Sequence, residues 1–118
     1  RVQGGALVCV TLNEADTELA VTTLLPSVDD LQVLYGEDTN SADELGSPER
    51  FVTADRVSDW TKVTAVELGV LVSSANSAYT PDGAQDYSLL NQRTFTAVDD
   101  GRVRIPFQTV IPIRNRQN

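Results

Sequence analysis

The sequence predicts a mainly β domain, built from antiparallel sheet with one short helix. Valine and threonine are frequent, whereas the chain contains one lysine and no methionine, a composition that favours strands over helices. Apolar and polar residues also alternate in several short segments that are bounded by Gly, Pro, Asn or Asp. The 118 residues suit a single domain, and the alternating segments predict about six strands within it.

The longest predicted strand covers residues 64–72, and we expect it to be central in its sheet. Its even-numbered positions hold one threonine followed by apolar residues: Thr64, Val66, Leu68, Val70 and Val72. Because successive side chains of a strand point to opposite faces, these five would share one face and pack into the core. The odd-numbered positions, which include Glu67, would form the other face.

Five further segments are predicted to be strands: residues 6–12, 18–25, 31–35, 93–98 and 103–113. The run Asp99-Asp100-Gly101 would form a tight hairpin turn between the last two, because Asp-Gly readily supplies positive φ angles. Pro106 and Pro112 fit an edge strand or bends rather than a central ladder. Residues 73–89 are small, polar and rich in turn formers, and we expect them to form a loop.

The one short helix is predicted over residues 54–60, with Thr53 as its cap. Val57 and Trp60 are three positions apart, so both would face the sheet, and Trp60 would be a structural anchor in the core. The predicted core residues come from the apolar positions of the alternating segments and of this helix: Leu7, Val33, Val52, Trp60, Val66, Leu68, Val70, Phe95 and Ile111.

Charge is distributed unevenly along the chain, whose net charge is -8. Residues 1–49 contain ten acidic side chains and one basic one, and residues 50–118 are close to neutral. An acidic first half disfavours nucleic acid and anionic membrane surfaces as partners, because both repel carboxylates.

After Asp100 the sequence has no acidic residue and four arginines: Arg102, Arg104, Arg114 and Arg116. They have two interpretations. They can be the solvated charges that commonly guard a strand edge, or they can form a docking surface for an acidic neighbour.

An acidic loop over residues 37–50 is the candidate ligand site. Asp38, Asn40 and Glu49 occupy the first, third and twelfth positions of a calcium-loop spacing, but Ala42 and Asp43 replace the central ligand and the required glycine. An EF-hand is therefore excluded. An irregular oxygen-rich loop could still bind calcium weakly, and the other interpretation is an ordinary solvated loop. The possible ligands are Asp38, Asn40, Asp43, Glu44 and Glu49.

We expect the chain not to be an enzyme. It lacks histidine, the commonest general base and transition-metal ligand. Ser58 and Lys62 lie four positions apart, but nothing in the sequence predicts a desolvated lysine or an oxyanion hole beside them. Paired carboxylates such as Asp29-Asp30 occur in turn contexts, where capping explains them.

Cys9 is the single cysteine of the chain. It is interpreted either as a small buried apolar residue or as one half of a disulfide with a cysteine outside this sequence. No segment approaches the roughly 18 consecutive apolar residues of a membrane-spanning helix.

Two groups of motifs resemble a known family. The first, over residues 31–72, is Val33-Leu34-Tyr35-Gly36, an acidic loop, Arg50-Phe51-Val52-Thr53-Ala54 and Val57-Ser58-Asp59-Trp60 before a long strand. The second, over residues 93–116, is Arg93-Thr94-Phe95-Thr96 and a final Arg114-Asn115-Arg116. In this order the motifs resemble the C-terminal part of PilW-type minor pilins of the type IV pilus, which are related to the J-type pseudopilins of type II secretion.

The resemblance implies that residues 1–118 are one soluble head domain of the α+β pilin superfamily, lacking its N-terminal helix and belonging to a longer chain. The full-length protein would be inserted in the inner membrane through that helix. It would be a structural minor pilin in the periplasm and at the pilus tip, where it helps to initiate pilus assembly. Its partners would be other minor pilins and the major pilin, with no cofactor. The alternative is an adhesin-like or calcium-stabilised extracellular β binding module.

Overall fold

The computed structural model describes residues 1–40, 46–80 and 83–113. These residues contain nine strands: β1 (Val2–Gln3), β2 (Ala6–Leu12), β3 (Glu18–Pro26), β4 (Val28–Glu37), β5 (Arg50–Val52), β6 (Val63–Ser73), β7 (Gln85–Leu89), β8 (Arg93–Ala97) and β9 (Arg104–Pro112). Two 3-10 turns, Ala54–Arg56 and Trp60–Lys62, lie between β5 and β6. The predicted mainly β fold is confirmed, but the predicted helix over residues 54–60 is wrong.

The strands form three sheets with the orders β1-β2-β3, β5-β4-β6-β9 and β7-β8. The pairs β1–β2, β2–β3, β4–β5 and β7–β8 are antiparallel. β6 has a neighbour on each side, so the prediction of a central strand over residues 64–72 is confirmed. β9 is an edge strand, as its two prolines predicted.

A tight turn at Gly4-Gly5 joins β1 to β2. Gln3 pairs with Ala6, and both glycines have positive φ angles, +59° and +72°. Two-residue hairpin turns whose twist matches the strands need such angles at both positions, and glycine adopts them without steric cost.

The chain folds as two compact units. The first unit contains residues 1–31 and 70–107, and the second contains residues 32–69 and 108–118. The buried apolar residues of the first unit are Val8, Val28, Leu71, Leu89, Leu90 and Ala97. The buried apolar residues described in the second unit are Leu34, Val63 and Ala65.

The face of β6 that the sequence assigned to the core is the less buried one. Its odd-numbered residues are largely buried, including Ala65 and Leu71, whereas Val66, Leu68 and Val70 are only half-buried. Alternation shows that the two faces of a strand differ, but it does not show which face the rest of the chain covers. Thr64 is the exception on the less buried face, since its side chain is fully buried.

The predicted list of core residues is therefore wrong, because none of the nine residues is buried. Trp60 and Ile111 are about half exposed, at 51% and 49%. The remaining members are half-buried rather than buried: Leu7, Val33, Val52, Val66, Leu68, Val70 and Phe95.

Two connections also differ from the prediction. The run Asp99-Asp100-Gly101 does not close a hairpin, because β8 pairs with β7 while β9 lies in another sheet. Gly101 nevertheless has a φ of +68°, the conformation that Asp-Gly favours. The predicted loop over residues 73–89 contains β7, whose Tyr87 pairs with Phe95 of β8.

Candidate functional site

Glu37, the last residue of β4, lies at the centre of a hydrogen-bond network in the second unit. Its side chain is fully buried. One carboxylate oxygen, Oε1, accepts hydrogen bonds from the Ser58 amide (3.0 Å), the Asp59 amide (2.7 Å) and the Ser58 hydroxyl. The other, Oε2, accepts from Arg50 Nε (3.1 Å) and Nη2 (2.7 Å). The carboxylate thus joins β4 to the residues between the two 3-10 turns.

The pairing of β4 with β5 places these groups together. Glu37 and Arg50 are direct partners across the two strands. The Ser58 hydroxyl and the Arg50 guanidinium both donate to the carboxylate, and they hold the pKa of Glu37 at about 2, below its ordinary value of 4.5. The Ser58 hydroxyl therefore donates to Glu37 and accepts from Arg50 Nη2 (3.2 Å).

The variant Glu37→Gln should remove part of the acid sensitivity of folding. Because the pKa of Glu37 is lowered in the folded state, its charged form stabilises the fold fully above about pH 4.5, and that contribution is lost as the pH falls toward 2. The difference in unfolding free energy between parent and variant should therefore become smaller as the pH falls from about 4.5 to 2. Urea denaturation at a series of pH values measures the difference.

Glu67→Gln is the matched control for this experiment, because it removes a carboxylate from the same unit. In the described part of the chain, Glu67 makes no ion pair. At neutral pH, Glu67→Gln should lower the free energy of unfolding less than Glu37→Gln does. A difference between parent and Glu37→Gln that is the same at pH 6 and pH 3 would contradict the role given to Glu37.

Gly36 allows the loop and β5 to approach β4 closely. A Cβ atom at this position would lie 2.9 Å from Phe51 Cε1 and 2.9 Å from both Cβ and Cγ of Pro48. Gly36→Ala should therefore lower the free energy of unfolding by about 1–3 kcal/mol through overpacking. Adding Pro48→Ala should recover part of the loss, and strictly additive losses in denaturant melts would contradict the steric account.

The acidic loop uses its carboxylates to bind backbone amides. Buried Asp38 accepts hydrogen bonds from the Asn40 amide (3.0 Å) and the Gly46 amide (2.7 Å). Glu49 Oε2 accepts from the Thr39 amide (2.6 Å) and the Asn40 amide (3.3 Å). The Gly46 amide is the main reason why the pKa of Asp38 is lowered. Both side chains therefore fix the ends of the loop.

The calcium prediction falls partly outside the described residues, because Asp43 and Glu44 lie there. Within the described ranges, no group of three or more His, Cys, Asp and Glu side chains could hold a metal ion. A weak calcium loop involving Asp38, Asn40 and Glu49 stays a prediction.

Trp60 is not the buried anchor that the sequence predicted. Its ring packs edge-on against Tyr35, with centroids 4.9 Å apart and an interplanar angle of 74°. The helix that would have buried it is interrupted, because Asp59 Oδ1 accepts from the Thr61 amide (2.9 Å) and hydroxyl (2.6 Å) and caps a separate turn. Val57 and Trp60 therefore do not share one helical face.

Arg104 lies in a buried ion-pair network in the first unit. Its Nε donates to Asp29 Oδ2 at 2.6 Å, and its Nη1 and Nη2 donate to the two carboxylate oxygens of Asp100 at 2.9 and 2.8 Å. This two-point hydrogen bonding strongly lowers the pKa of Asp100 and raises that of Arg104. The sequence placed Arg104 on an exposed basic surface, and the structure corrects that placement.

The other predicted basic residues have different positions. Arg102 is half-buried, and its Nε donates to the Ser74 carbonyl oxygen. Arg114 and Arg116 lie outside the described residues. A basic docking surface therefore stays a prediction that depends mainly on these last two arginines.

Cys9 is a free thiol and is exposed on β2, so the expectation of a small buried residue is wrong. Its pairing with a cysteine outside this sequence stays a prediction. Among the described helical turns, none has the length and apolar character needed to cross a membrane.

The two charged networks are the features that sequence reasoning missed. Glu37 bonds to residues 13 to 22 positions away, and Arg104 bonds to Asp29 at a separation of 75. Short motifs cannot show such pairs, because the strand order brings them together. In the described part of the acidic loop, Asp38 and Glu49 bind backbone amides of the chain.

Comparison with known families gives the identity at the family level. The model of the type IV pilus-assembly protein W family, PilW, matches residues 2–115. The chain belongs to the PilW family. Searches among curated proteins and among solved structures each found no match. Membership of the PilW family implies involvement in type IV pilus assembly, interaction with other pilus components and a location in the cell envelope.

Proposed function

We propose that this chain is the head of a structural minor pilin, which helps to initiate type IV pilus assembly and forms part of the tip complex. The observation that carries the proposal is the PilW family match over residues 2–115. The proposed partners are other minor pilins and the major pilin. The proposal includes the expectation, taken from the resemblance to minor pilins, that the full-length protein is inserted in the inner membrane through an N-terminal helix.

The proposed role is not catalytic. The charged side chains at the centre of the second unit support this, because they bind the chain's own backbone and side chains. Glu37 binds Arg50 and Ser58, and Asp38 binds the Gly46 amide. Carboxylates with these partners stabilise the local fold, and their lowered pKa values leave them as anions that are poor general acids or bases near pH 7.

Deletion of the full-length gene tests the proposal. The deletion strain should lose most of its surface pili, and expression of the full-length gene from a plasmid should restore them. Counting filaments by electron microscopy and measuring twitching motility provide two independent readouts. Normal pilus numbers in the deletion strain would overturn the assembly role. Normal pili combined with a loss of surface attachment would favour the adhesin alternative.

A further inference from the structure

β3 is an open edge strand whose whole length is exposed. It ends the order β1-β2-β3, and no other described strand pairs with its second edge. All nine of its residues, Glu18–Pro26, are exposed to solvent. The larger apolar side chains are among them, with Leu19 at 65%, Val21 at 49% and Leu24 at 62% exposure. Such an edge presents unpaired backbone donors and acceptors beside apolar side chains.

Between its two end residues, Glu18 and Pro26, β3 lacks the charged residues and prolines that usually protect an edge against strand pairing. Residues 19–25 read Leu-Ala-Val-Thr-Thr-Leu-Leu and contain no charged residue and no proline. Natural edge strands are usually blunted by such residues, because an open apolar edge otherwise pairs with another chain. Two register shifts, between Leu7 and Val8 and between Thr11 and Leu12 of β2, leave Leu24 and Leu19 of β3 without a partner on β2. Residues 20–23 between them pair with β2 in unbroken register, and they form the regular part of the open edge.

β9, the edge strand of the four-stranded sheet, differs from β3 because it has prolines on its open side. In the first unit, the Ser74 amide donates to the Val103 carbonyl oxygen, so the backbone of Val103 faces β6. Alternation then points the nitrogen of Pro106 away from β6. In the second unit, the Ile113 amide donates to Thr64, which places the nitrogen of Pro112 on the open side as well. Proline thus removes a backbone donor from the open side of β9 at both positions, whereas residues 19–25 of β3 include no proline.

Charge at one end of β3 indicates the chemistry of a partner. The turn before β3 carries Glu14 and Asp16, both exposed, and β3 itself begins at Glu18. Glu18 is paired with Arg1 at 2.6 Å, whereas Glu14 and Asp16 make no ion pair within the described residues. A partner segment with a lysine or arginine at this end would complement the turn and fix its own register.

We propose that β3 binds an extended segment of a neighbouring pilus subunit by strand addition. The segment has alternating apolar residues and a lysine or arginine beside the Glu14–Asp16 turn. A strand satisfies the open backbone groups of β3, which a helix cannot do. A second copy of this chain carries the same net charge of -8, so repulsion disfavours self-pairing. This inference rests on the proposed function and adds to it the surface and the class of partner.

Lysine substitution in the full-length protein tests the edge. Val21→Lys places a charge in the middle of β3, whereas Val98→Lys places the same charge at a position that is 70% exposed and outside any strand. In the deletion strain, Val21→Lys should restore few pili and Val98→Lys should restore normal numbers. Both purified chains should show unfolding midpoints close to the parent. Full piliation with Val21→Lys would overturn the inference.

Photo-crosslinking identifies the occupant. A benzophenone amino acid at position 21 of the full-length protein, irradiated in piliated cells, should crosslink to an extended segment of another pilus subunit, mapped by mass spectrometry. Glu14→Lys should reduce the yield of this crosslink, and Val98→Lys should leave it unchanged. A crosslink to a second copy, to the protein's own chain or to no protein would overturn the inference.

The two hypotheses fail in different ways. A deletion strain with normal pili removes the proposed function. A deletion strain that lacks pili but is fully rescued by the folded Val21→Lys variant keeps the proposed function and removes only strand addition at β3.

Discussion

Replacement of Arg104 by methionine should lower the free energy of unfolding by about 3–5 kcal/mol. The guanidinium is almost completely buried, with 4% of its side chain exposed, and it is bonded to Asp29 and Asp100, which are 13% and 27% exposed. Methionine keeps much of the side-chain volume but leaves two largely desolvated carboxylates without their cation. Chemical denaturation of the purified chain measures the loss.

Arg1→Met is the matched control. Arg1 and Glu18 also form an arginine–carboxylate pair at 2.6 Å, the distance between Arg104 and Asp29, but their side chains are 51% and 42% exposed. An exposed pair of this kind contributes only about 0–1 kcal/mol. Equal losses for the two variants would show that burial does not set the strength of the Arg104 network.

Leu71→Ala should also be strongly destabilising, by about 2–5 kcal/mol. Leu71 lies near the end of central strand β6 and is 0% exposed. The substitution removes buried apolar atoms and leaves a cavity, because a close-packed core relaxes only partly. Thermal or urea melts of the purified chain would show a large shift of the midpoint.

Leu24→Ala provides the corresponding control in the same unit. Leu24 is 62% exposed on β3, so the same change of side chain should alter stability by no more than about 0.5 kcal/mol. If Leu24→Ala were as damaging as Leu71→Ala, the assignment of the core would be contradicted. The pair also tests the strand-addition proposal, because a side chain that stabilises the isolated chain is not a free surface.

The sequence was most informative about the positions of strands. The boundaries of β2 at Ala6 and Leu12 were predicted correctly, because alternation and turn residues are local signals. Pro106 and Pro112 correctly indicated that β9 lies at an edge, since proline cannot donate to a central ladder. These signals depend on neighbouring residues in the sequence, so they predict strands correctly even where the tertiary packing is not known.

The sequence was least informative about which surfaces are covered. Val66 and Leu68 were assigned to the core of β6, but the opposite face is more buried. Trp60 was assigned to the core because it lies three positions from Val57 on a predicted helix, yet a separate turn capped by Asp59 leaves it half exposed. Neither Asp59 as a cap nor the partners of Arg104 follow from spacing alone.

The structure also changes where subunit contacts are expected. A basic surface was expected to include Arg104, but that arginine is occupied by Asp29 and Asp100. We propose instead that the open edge of β3, beside the acidic turn, recognises a neighbour. Recognition by backbone pairing gives affinity, and the acidic turn contributes register and encounter rate, which should weaken with added salt.

Labelling of sheared pili with gold-conjugated antibody against this chain tests the central claim, that it is a subunit of the pilus tip, most directly. The account predicts gold particles at one end of individual filaments. Filaments from a control strain, in which the epitope has been deleted from this chain, should not be labelled. Particles distributed evenly along the filaments, or labelling of the cell surface with none on intact pili, would contradict it.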